Sequence, residues 1–293
     1  MTSPSPPLVT LYHVLPSNCS QKVRLVLAEK GVAYDGRSVN IGPAMENYEP
    51  WYVRLNPKAV VPTLVHGERV VTDSARIIRY VDDNFEGPAL MPSDPTLRTE
   101  VEAFIDRCDR LDVRALTYGN DKAPKTLLHR AIGMRVRRLE KHLRRNPALA
   151  FAYRAKIEDV KRWRADIIDA ARVAEVRRDA EADLNAMESM LRDGRLFLVG
   201  DHYSLADVMG TIHVARIRSS CRSLLHGRER VNQWYERMRA RPSFAQADLI
   251  DRLEPKVMAR IFAEVVAPWA LPRLAAAAMI TVLVVSAVLR LSR

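Results

Sequence analysis

Pro16, Ser17, Asn18 and Cys19 stand where a strand-like run, residues 8–14, gives way to a helical segment. A helix N-terminus aims unpaired backbone N–H groups and the positive end of the helix dipole at one point. Such a site favours an anion, for example a thiolate. Lowering a thiol pKa by two units from about 8.5 needs about 2.7 kcal/mol, which a hydroxyl hydrogen bond and the helix terminus can supply together. The alternative is that Ser17 and Asn18 are only helix caps.

Two further segments could hold an extended peptide beside such a thiolate. Pro62 directly precedes a predicted strand, and a cis peptide bond there would present the Val61 backbone N–H and C=O for pairing. An ordinary trans proline at the start of a strand is the alternative. Asp73 and Ser74 open a helix twelve residues after Val61, and a helix cap is again the alternative interpretation.

The elements that carry these residues alternate between strand and helix. We predict strands at 8–14 and 34–40, a hairpin at 63–71 that turns at 66–68, and helices at 19–30 and 74–85. This order indicates a small mixed sheet with helices packed on it. Residues 86–95 are rich in proline and glycine, as is typical of a linker, and helical sequence follows to about residue 192 and again to about residue 239.

The composition narrows the class of protein. The 293 residues are 48% hydrophobic and 28% charged, with a net charge of +11, which excludes a disordered or collagenous chain. Cys19, Cys108 and Cys221 are far apart and give neither a disulfide framework nor metal-ligand spacing. We therefore expect a reducing compartment and no metal, and a length of this kind allows one large or two modest domains.

Taken together, these segments resemble a known family. SNCSQKVRLVLAEKG, LNPKAVVPTL and DSARIIRYV are similar to the thioredoxin-like domain of glutathione transferases, and Phe197–Gly200 followed by Ser204 and Asp207 resembles the capping box of their helical domain. The resemblance implies an α/β thioredoxin-like, glutathione-binding domain at 1–86. It also implies an all-α domain at 96–250 with a basic helical insert at about 122–180.

Within that superfamily, the chain resembles the ganglioside-induced differentiation-associated proteins. The segments SQKVRLVLAEK, EPWYVRLN and WYERMRARPSF, the long insert and the apolar tail carry this resemblance, over nearly the whole chain. Members of that family are tail-anchored in organelle membranes, and their glutathione chemistry is weak or uncertain.

The superfamily resemblance also assigns roles to individual residues. Ser17 would contact the glutathione sulfur, and Asn18 and Cys19 would lie beside it like the serine-cysteine pair of the zeta-type motif. The remaining glutathione contacts would come from Val61 ahead of Pro62, from Asp73 and Ser74 at the γ-glutamyl end, and from Lys58. Lys58 is the substitute for a glycyl-carboxylate ligand, because Val60 departs from the family pattern. Cys19 is expected to be a packed, unreactive thiol, with disulfide exchange as the alternative.

The sequence from 274 to 289 contains 16 uncharged residues bracketed by arginines. At 1.5 Å per residue this run spans about 24 Å, and snorkelling arginines together with an interfacial Trp269 extend its reach toward a bilayer thickness of about 30 Å. We predict a single-pass tail anchor at 271–291 with the body facing the cytoplasm. A buried core helix is the alternative.

The basic segment 122–145 holds nine lysines and arginines and one acid. It lacks the aromatic interleaving of a nucleic-acid interface, so we expect no nucleic acid and either a solvated face or contact with anionic lipid. Met134, Val136, Leu139 and Leu143 are predicted to form its packing side.

Two functions follow from the sequence. The first is a membrane-anchored, Ser-type glutathione transferase that conjugates glutathione to an electrophile, with a homodimer compatible with the fold. The second is a non-catalytic membrane-anchored module of the same fold that binds lipid or a protein partner.

Overall fold

The computed structural model describes residues 9–119 and 125–274. A four-stranded sheet in the order β2-β1-β3-β4 is built from β1 (Val9–His13), β2 (Asp35–Ser38), β3 (Thr63–His66) and β4 (Arg69–Thr72). β1 pairs in parallel with β2 and antiparallel with β3, and β3 and β4 form the predicted hairpin. The three helices of this part are α1 (Asn18–Glu29), α2 (Pro50–Leu55) and α3 (Ser74–Asn84). The predicted thioredoxin-like arrangement is confirmed.

Helices make up the rest of the described chain. They are α4 (Pro95–Arg110), α5 (Val113–Tyr118), α6 (Lys125–Arg145), α7 (Ala150–Asp166), α8 (Ala170–Met190), α9 (Leu205–Ser220), α10 (Glu229–Arg239), α11 (Pro242–Gln246) and α12 (Pro255–Ile261). α12 continues through a π-helical turn (Phe262–Val266) to residue 274, and we call the whole stretch 255–274 the C-terminal helix. The helical sequence predicted up to about residue 239 forms two helices, because a 3-10 turn (Arg222–Leu225) and Gly227 at φ +72° separate α9 from α10.

One hydrophobic core joins the sheet to the helices behind it. Alternate residues of β1, Val9 and Leu11, face α1 and α3, and the same core continues to Ile105 of α4 and Ile212 of α9. The predicted linker lies against this core, since the Leu90 and Met91 amides donate to the Asp82 carboxylate at the end of α3. The site-bearing sheet is therefore packed rigidly against the helical part of the chain.

The predicted capping box at the start of α9 is confirmed. Asp207 is fully buried and accepts hydrogen bonds from the amides of Leu198 and Ser204 and from Trp234 Nε1, at 2.9 to 3.0 Å. Burial raises the pKa of the Asp207 carboxyl to about 6, although these donors act against that change. The group organises a helix start, as the sequence indicated.

The basic insert forms a hairpin of α6 and α7 with a core of its own. Ile132, Val136 and Leu139 of α6 pack with α7 and reach Tyr48 and Val53 of the sheet domain. The packing side predicted from the sequence is partly wrong, because Met134 is 49% exposed. Successive helical residues are about 100° apart, so Met134 faces roughly opposite to residues two positions away on either side.

The predicted tail anchor falls almost wholly outside the described residues, which end at 274. Within the ranges 9–119 and 125–274, no helix has both the length and the apolar character that a membrane crossing needs.

Candidate functional site

Strand register brings the predicted site residues to one end of the sheet. Tyr12 of β1 pairs with Thr63 of β3, and Thr63 pairs with Thr72 of β4. The end of β1, the start of β3 and the end of β4 therefore lie side by side. The residues carried to this end are Ser17, Asn18, Cys19, Lys58, Val61, Pro62, Asp73 and Ser74.

Ser17 is the N-cap of α1, as the alternative interpretation predicted. Its Oγ accepts a hydrogen bond from the Ser20 amide at 3.3 Å, and the Ser20 hydroxyl in turn accepts from the Val14 amide at 3.4 Å. A serine hydroxyl has two acceptor lone pairs and one donor hydrogen. Because capping uses only an acceptor position, the Ser17 hydrogen remains available to a sulfur anion, and the two interpretations are compatible.

Two arginines, the buried Arg24 and the partly buried Arg216, hold the turn that carries Ser17. Arg24 of α1 donates to the carbonyls of Val14 and Leu15 at 3.4 and 3.2 Å. Arg216 of α9 donates to the Pro16 carbonyl at 3.1 Å and to Asn18 Oδ1 at 2.7 Å. Three successive backbone carbonyls thus accept hydrogen bonds from arginine side chains, which fixes the turn. Sequence reasoning missed Arg216, and no local signal could have found it, because it lies about 200 positions along the chain from the turn.

Cys19 differs from the packed thiol that we expected, because it is partly exposed. Two cationic side chains, Lys22 and Arg216, interact with Cys19. The carboxylate of Asp109 lies 2.5 Å from Lys22 Nζ, and although burial lowers the pKa of Lys22, Cys19 and Asp109 raise it above its ordinary value overall. Burial lowers the pKa of Arg216, and Cys19 and Tyr118 act in the opposite direction. Cys19 is therefore a partly exposed thiol in the first turn of α1, beside Ser17.

The Val61–Pro62 peptide bond is cis, as predicted. The preceding carbonyl, that of Val60, accepts from Tyr52 Oη at 2.7 Å and from Asn56 Nδ2 at 2.8 Å, which fixes the loop. Burial raises the pKa of Tyr52 to about 12, so this phenol stays a neutral donor. Within the described residues the Val61 backbone N–H and C=O have no hydrogen-bond partner, so both are available to an extended peptide.

Asp73 and Ser74 begin α3, and Asp73 has an unusual backbone. Its φ of +77° lies in a region that L-residues rarely adopt and that is found mainly at functional sites. One carboxylate oxygen caps α3 through the Ala75 and Arg76 amides, and the other lies 3.7 Å from Lys58 Nζ. Lys58 therefore lies beside Asp73, at the end of the site that the resemblance assigns to the γ-glutamyl group.

Replacing Arg216 by methionine is expected to lower kcat/KM for glutathione conjugation about tenfold and to raise the apparent pKa of its pH profile. The Pro16 carbonyl and the side-chain oxygen of Asn18 would each lose their arginine donor, and the turn would loosen. Arg216→Lys should restore the pH profile because it keeps the charge. Arg218→Met is the control from the same helix, since Arg218 lies two residues further on, faces roughly the opposite way and bonds to Glu236 instead of the turn. An unchanged pH profile in Arg216→Met would contradict the positioning role.

A pH dependence of stability follows from His13, whose Nδ1 lies 3.3 Å from Arg24. Burial and Arg24 lower the pKa of His13 from 6.5 to about 4, with Asp248 acting against them. The neutral ring therefore contributes stability that is complete above pH 6.5 and is lost as the pH falls toward 4. Between pH 7 and 4 the free energy of unfolding should fall by about 2 kcal/mol more in the wild type than in His13→Gln, less than full conversion because the ring is partly exposed.

Chemical denaturation at each pH measures this difference. His226→Gln, at an exposed position, is the control and should follow the wild type. If the free energy of unfolding changes equally with pH in the wild type and in His13→Gln, His13 is not the source of the pH dependence.

The cis-proline loop, the helix-capping serine and the acid–serine pair meet at one end of a thioredoxin-like sheet. This arrangement defines a glutathione-binding class of fold, and comparison with known proteins supports that class. The glutathione S-transferase N-terminal domain matches residues 16–84, and the C-terminal domain of the same family matches residues 170–237. The chain belongs to the glutathione S-transferase family.

Sequence similarity relates the chain to two groups of known proteins. The chain is 36% identical to a tetrachloro-p-hydroquinone reductive dehalogenase of Sphingobium chlorophenolicum, over 82% of this chain and 96% of that protein. It is 40% identical to the human ganglioside-induced differentiation-associated protein 1-like 1, over 38% of this chain and 31% of that protein. The predicted kinship with the latter family is confirmed, over a shorter part of the chain than the sequence motifs suggested.

Solved structures share the fold. The β-etherase LigF of Sphingobium sp. strain SYK-6 superposes with a TM-score of 0.62 at 22% identity, covering 82% of this chain and 98% of that one. A theta class glutathione S-transferase of Xanthomonas axonopodis pv. citri, solved with glutathione bound, gives a TM-score of 0.59 at 23% identity over 83% of this chain and 98% of that chain.

Proposed function

We propose that the protein is a glutathione-dependent enzyme that activates the thiol of glutathione at Ser17 and transfers its sulfur to an electrophilic carbon. The observation that carries the proposal is the meeting of Ser17, Val61 and the Asp73–Ser74 pair at one end of the sheet. The family membership and the dehalogenase relative support it.

Each part of glutathione has a chemically suited partner there. The free backbone groups of Val61 suit the cysteinyl residue, and the second Asp73 oxygen suits the γ-glutamyl ammonium. The Ser74 hydroxyl and the α3 N-terminus, with Lys58 nearby, suit the γ-glutamyl carboxylate. The sulfur then reaches the Ser17 hydroxyl at the N-terminus of α1, where hydrogen bonding and the helix dipole stabilise a thiolate.

The first experiment measures glutathione affinity by calorimetry. Asp73→Asn should raise the Kd at least about tenfold, because a charge-assisted contact with the γ-glutamyl ammonium is replaced by a neutral one. Asp94→Asn is the matched control, since Asp94 caps α4 through two backbone amides in the same way, away from the site. Absence of binding by the wild type would overturn the proposal and favour the non-catalytic module.

The surroundings of Cys19 favour a second candidate chemistry, glutathione-dependent reductive dechlorination of a chlorinated hydroquinone. The glutathione thiolate would displace chloride and form a carbon–sulfur bond. The Cys19 thiolate would then attack that sulfur, and the carbon–sulfur electron pair would pass to the carbon, which takes up a proton. A second glutathione would release oxidised glutathione from the Cys19 disulfide. Two thiols thus supply the two electrons, and the 36% identity to a reductive dehalogenase supports this path.

We further propose that the apolar run 274–289 attaches the protein to a membrane, with the enzyme body facing the cytoplasm. Full-length protein expressed in cells should stay with the membrane pellet after alkaline carbonate extraction, and a chain ending at Pro268 should be released. Release of the full-length chain would contradict the attachment. A homodimer stays a prediction, and light scattering in nonionic detergent would test it.

A further inference from the structure

The outer face of α6 and the end of the C-terminal helix together enclose a basic groove of about 330 Å³. We define the basic groove by its side chains from these two helices, which are Met134, Arg137, Arg138, Lys141, Trp269 and Arg273. The loop at residues 43–45 closes one side. Four of these side chains are cationic, and none is acidic.

The charges in the basic groove are largely uncompensated. Arg138 is paired with Glu49 at 2.5 Å. Within the described residues, Arg137, Lys141 and Arg273 have no carboxylate within ion-pair distance. Arg273 stacks on the Trp269 ring with its Cζ 4.7 Å from the ring centroid, which holds the guanidinium at the groove. Three cations converging without a counter-ion favour a compact anion such as a phosphate group.

The two walls of the groove are held firmly. Arg135 of α6 donates to the Ile41 carbonyl at 2.7 Å, and the buried face of α6 packs on the sheet domain. On the other wall, Asn40 Nδ2 donates to the Val265 carbonyl at 2.5 Å, and Val265 packs with Val61 and Tyr52. The groove is therefore formed by elements that the folded core positions.

Exposed apolar side chains occur on both helices that form the groove. Leu127 and Met134, seven residues apart on α6, are 65% and 49% exposed. Leu271 and Leu274 at the end of the C-terminal helix are 60% and 64% exposed, and the 16-residue uncharged run begins at Leu274. Exposed leucines among basic residues, next to an apolar segment, are typical of a surface that lies on a membrane.

We infer that the basic groove binds the phosphate of an anionic phospholipid in the membrane that holds the 274–289 segment. This inference rests on the proposed membrane attachment and goes beyond it by naming the lipid class and the side chains that bind it. The shared chemistry is a phosphate group, which a lipid or free phosphate could supply. The charge of the groove, the exposed leucines of the same two helices and the nearby apolar segment favour the lipid.

The test is a lipid titration of full-length protein in nonionic detergent, followed by native mass spectrometry. Phosphatidylglycerol should bind at least about tenfold more tightly than phosphatidylcholine. Each basic side chain near an anionic headgroup changes affinity about fivefold, so Arg137→Gln/Lys141→Gln should weaken phosphatidylglycerol binding about 25-fold. The matched control is Arg144→Gln/Arg145→Gln, which removes two exposed charges from the same helix outside the groove and should bind like the wild type.

Three outcomes would overturn the inference. They are equal binding of the two lipids, equal losses in the groove and control variants, and displacement of phosphatidylglycerol by equimolar inorganic phosphate, which would identify a free-phosphate site. Carbonate extraction of the same variants separates this question from membrane attachment. If the inference holds, Arg137→Gln/Lys141→Gln loses lipid selectivity but stays in the membrane pellet. If the apolar run does not attach the protein to the membrane, every variant is released.

Discussion

Ser17→Ala is expected to lower kcat/KM for glutathione conjugation of 1-chloro-2,4-dinitrobenzene about a hundredfold at neutral pH. The Ser17 hydroxyl accepts from the Ser20 amide and keeps its hydrogen for the sulfur. A hydrogen bond to a charged group contributes about 1.5–3 kcal/mol, which corresponds to about 10- to 150-fold in rate. Because the lost bond stabilises the thiolate, the apparent pKa of the bound thiol should rise, and the activity should recover partly at higher pH.

The helix cap requires a separate control. Alanine at an N-cap costs about 1 kcal/mol of stability, whereas glycine costs only a few tenths, so Ser17→Gly removes the hydroxyl and largely keeps the cap. Ser17→Thr retains both. If the hydroxyl stabilises the thiolate, alanine and glycine lose activity together and threonine keeps most of it. Wild-type activity in Ser17→Gly would show that the cap alone matters.

Cys19→Ser is expected to reduce formation of the reductively dechlorinated hydroquinone at least about a thousandfold, with a glutathione conjugate accumulating in its place. A serine hydroxyl cannot form the disulfide that takes the sulfur from the carbon, so the reaction should stop after the first bond is formed. Conjugation of 1-chloro-2,4-dinitrobenzene needs no disulfide and should change only a few-fold. Chromatography of the hydroquinone reaction quantifies the dechlorinated product, oxidised glutathione and the conjugate, and a separate absorbance assay follows conjugation of 1-chloro-2,4-dinitrobenzene.

Cys221→Ser is the matched control, because Cys221 is also partly exposed but lies at the end of α9, where its sulfur contacts the Leu116 carbonyl at 3.9 Å. It should leave both reactions unchanged. Unimpaired formation of the reductively dechlorinated hydroquinone by Cys19→Ser would exclude the disulfide path through Cys19.

The C-terminal helix contacts the loop that carries the cis-proline. Val265 of the C-terminal helix packs with Val61 and Tyr52, whose neighbouring groups form the peptide-binding loop of the site. The proposed anchor and the proposed glutathione site are therefore connected through a single small cluster. An enzyme held in this way would present its site at a fixed orientation to the bilayer, which suits apolar electrophiles that partition into lipid.

The sequence by itself determined the parts of this protein that depend on near neighbours. The cap at Ser17, the Asp73–Ser74 helix start, the hairpin at Gly67 and the Ser204–Asp207 capping box are each formed within a few residues, so residue type and spacing are sufficient to predict them. Their order along the chain was enough to identify the family.

Only the tertiary structure decided what two distant segments do to each other. It placed Arg216 and Arg24 against the turn that carries Ser17, Lys58 against Asp73, and Met134 on the outer face of α6. It also left Cys19 partly exposed, with Arg216 of α9 nearby. The physical reason is that these contacts arise when separate helices pack on a common core, and local spacing carries no information about which distant side chain fills a given position.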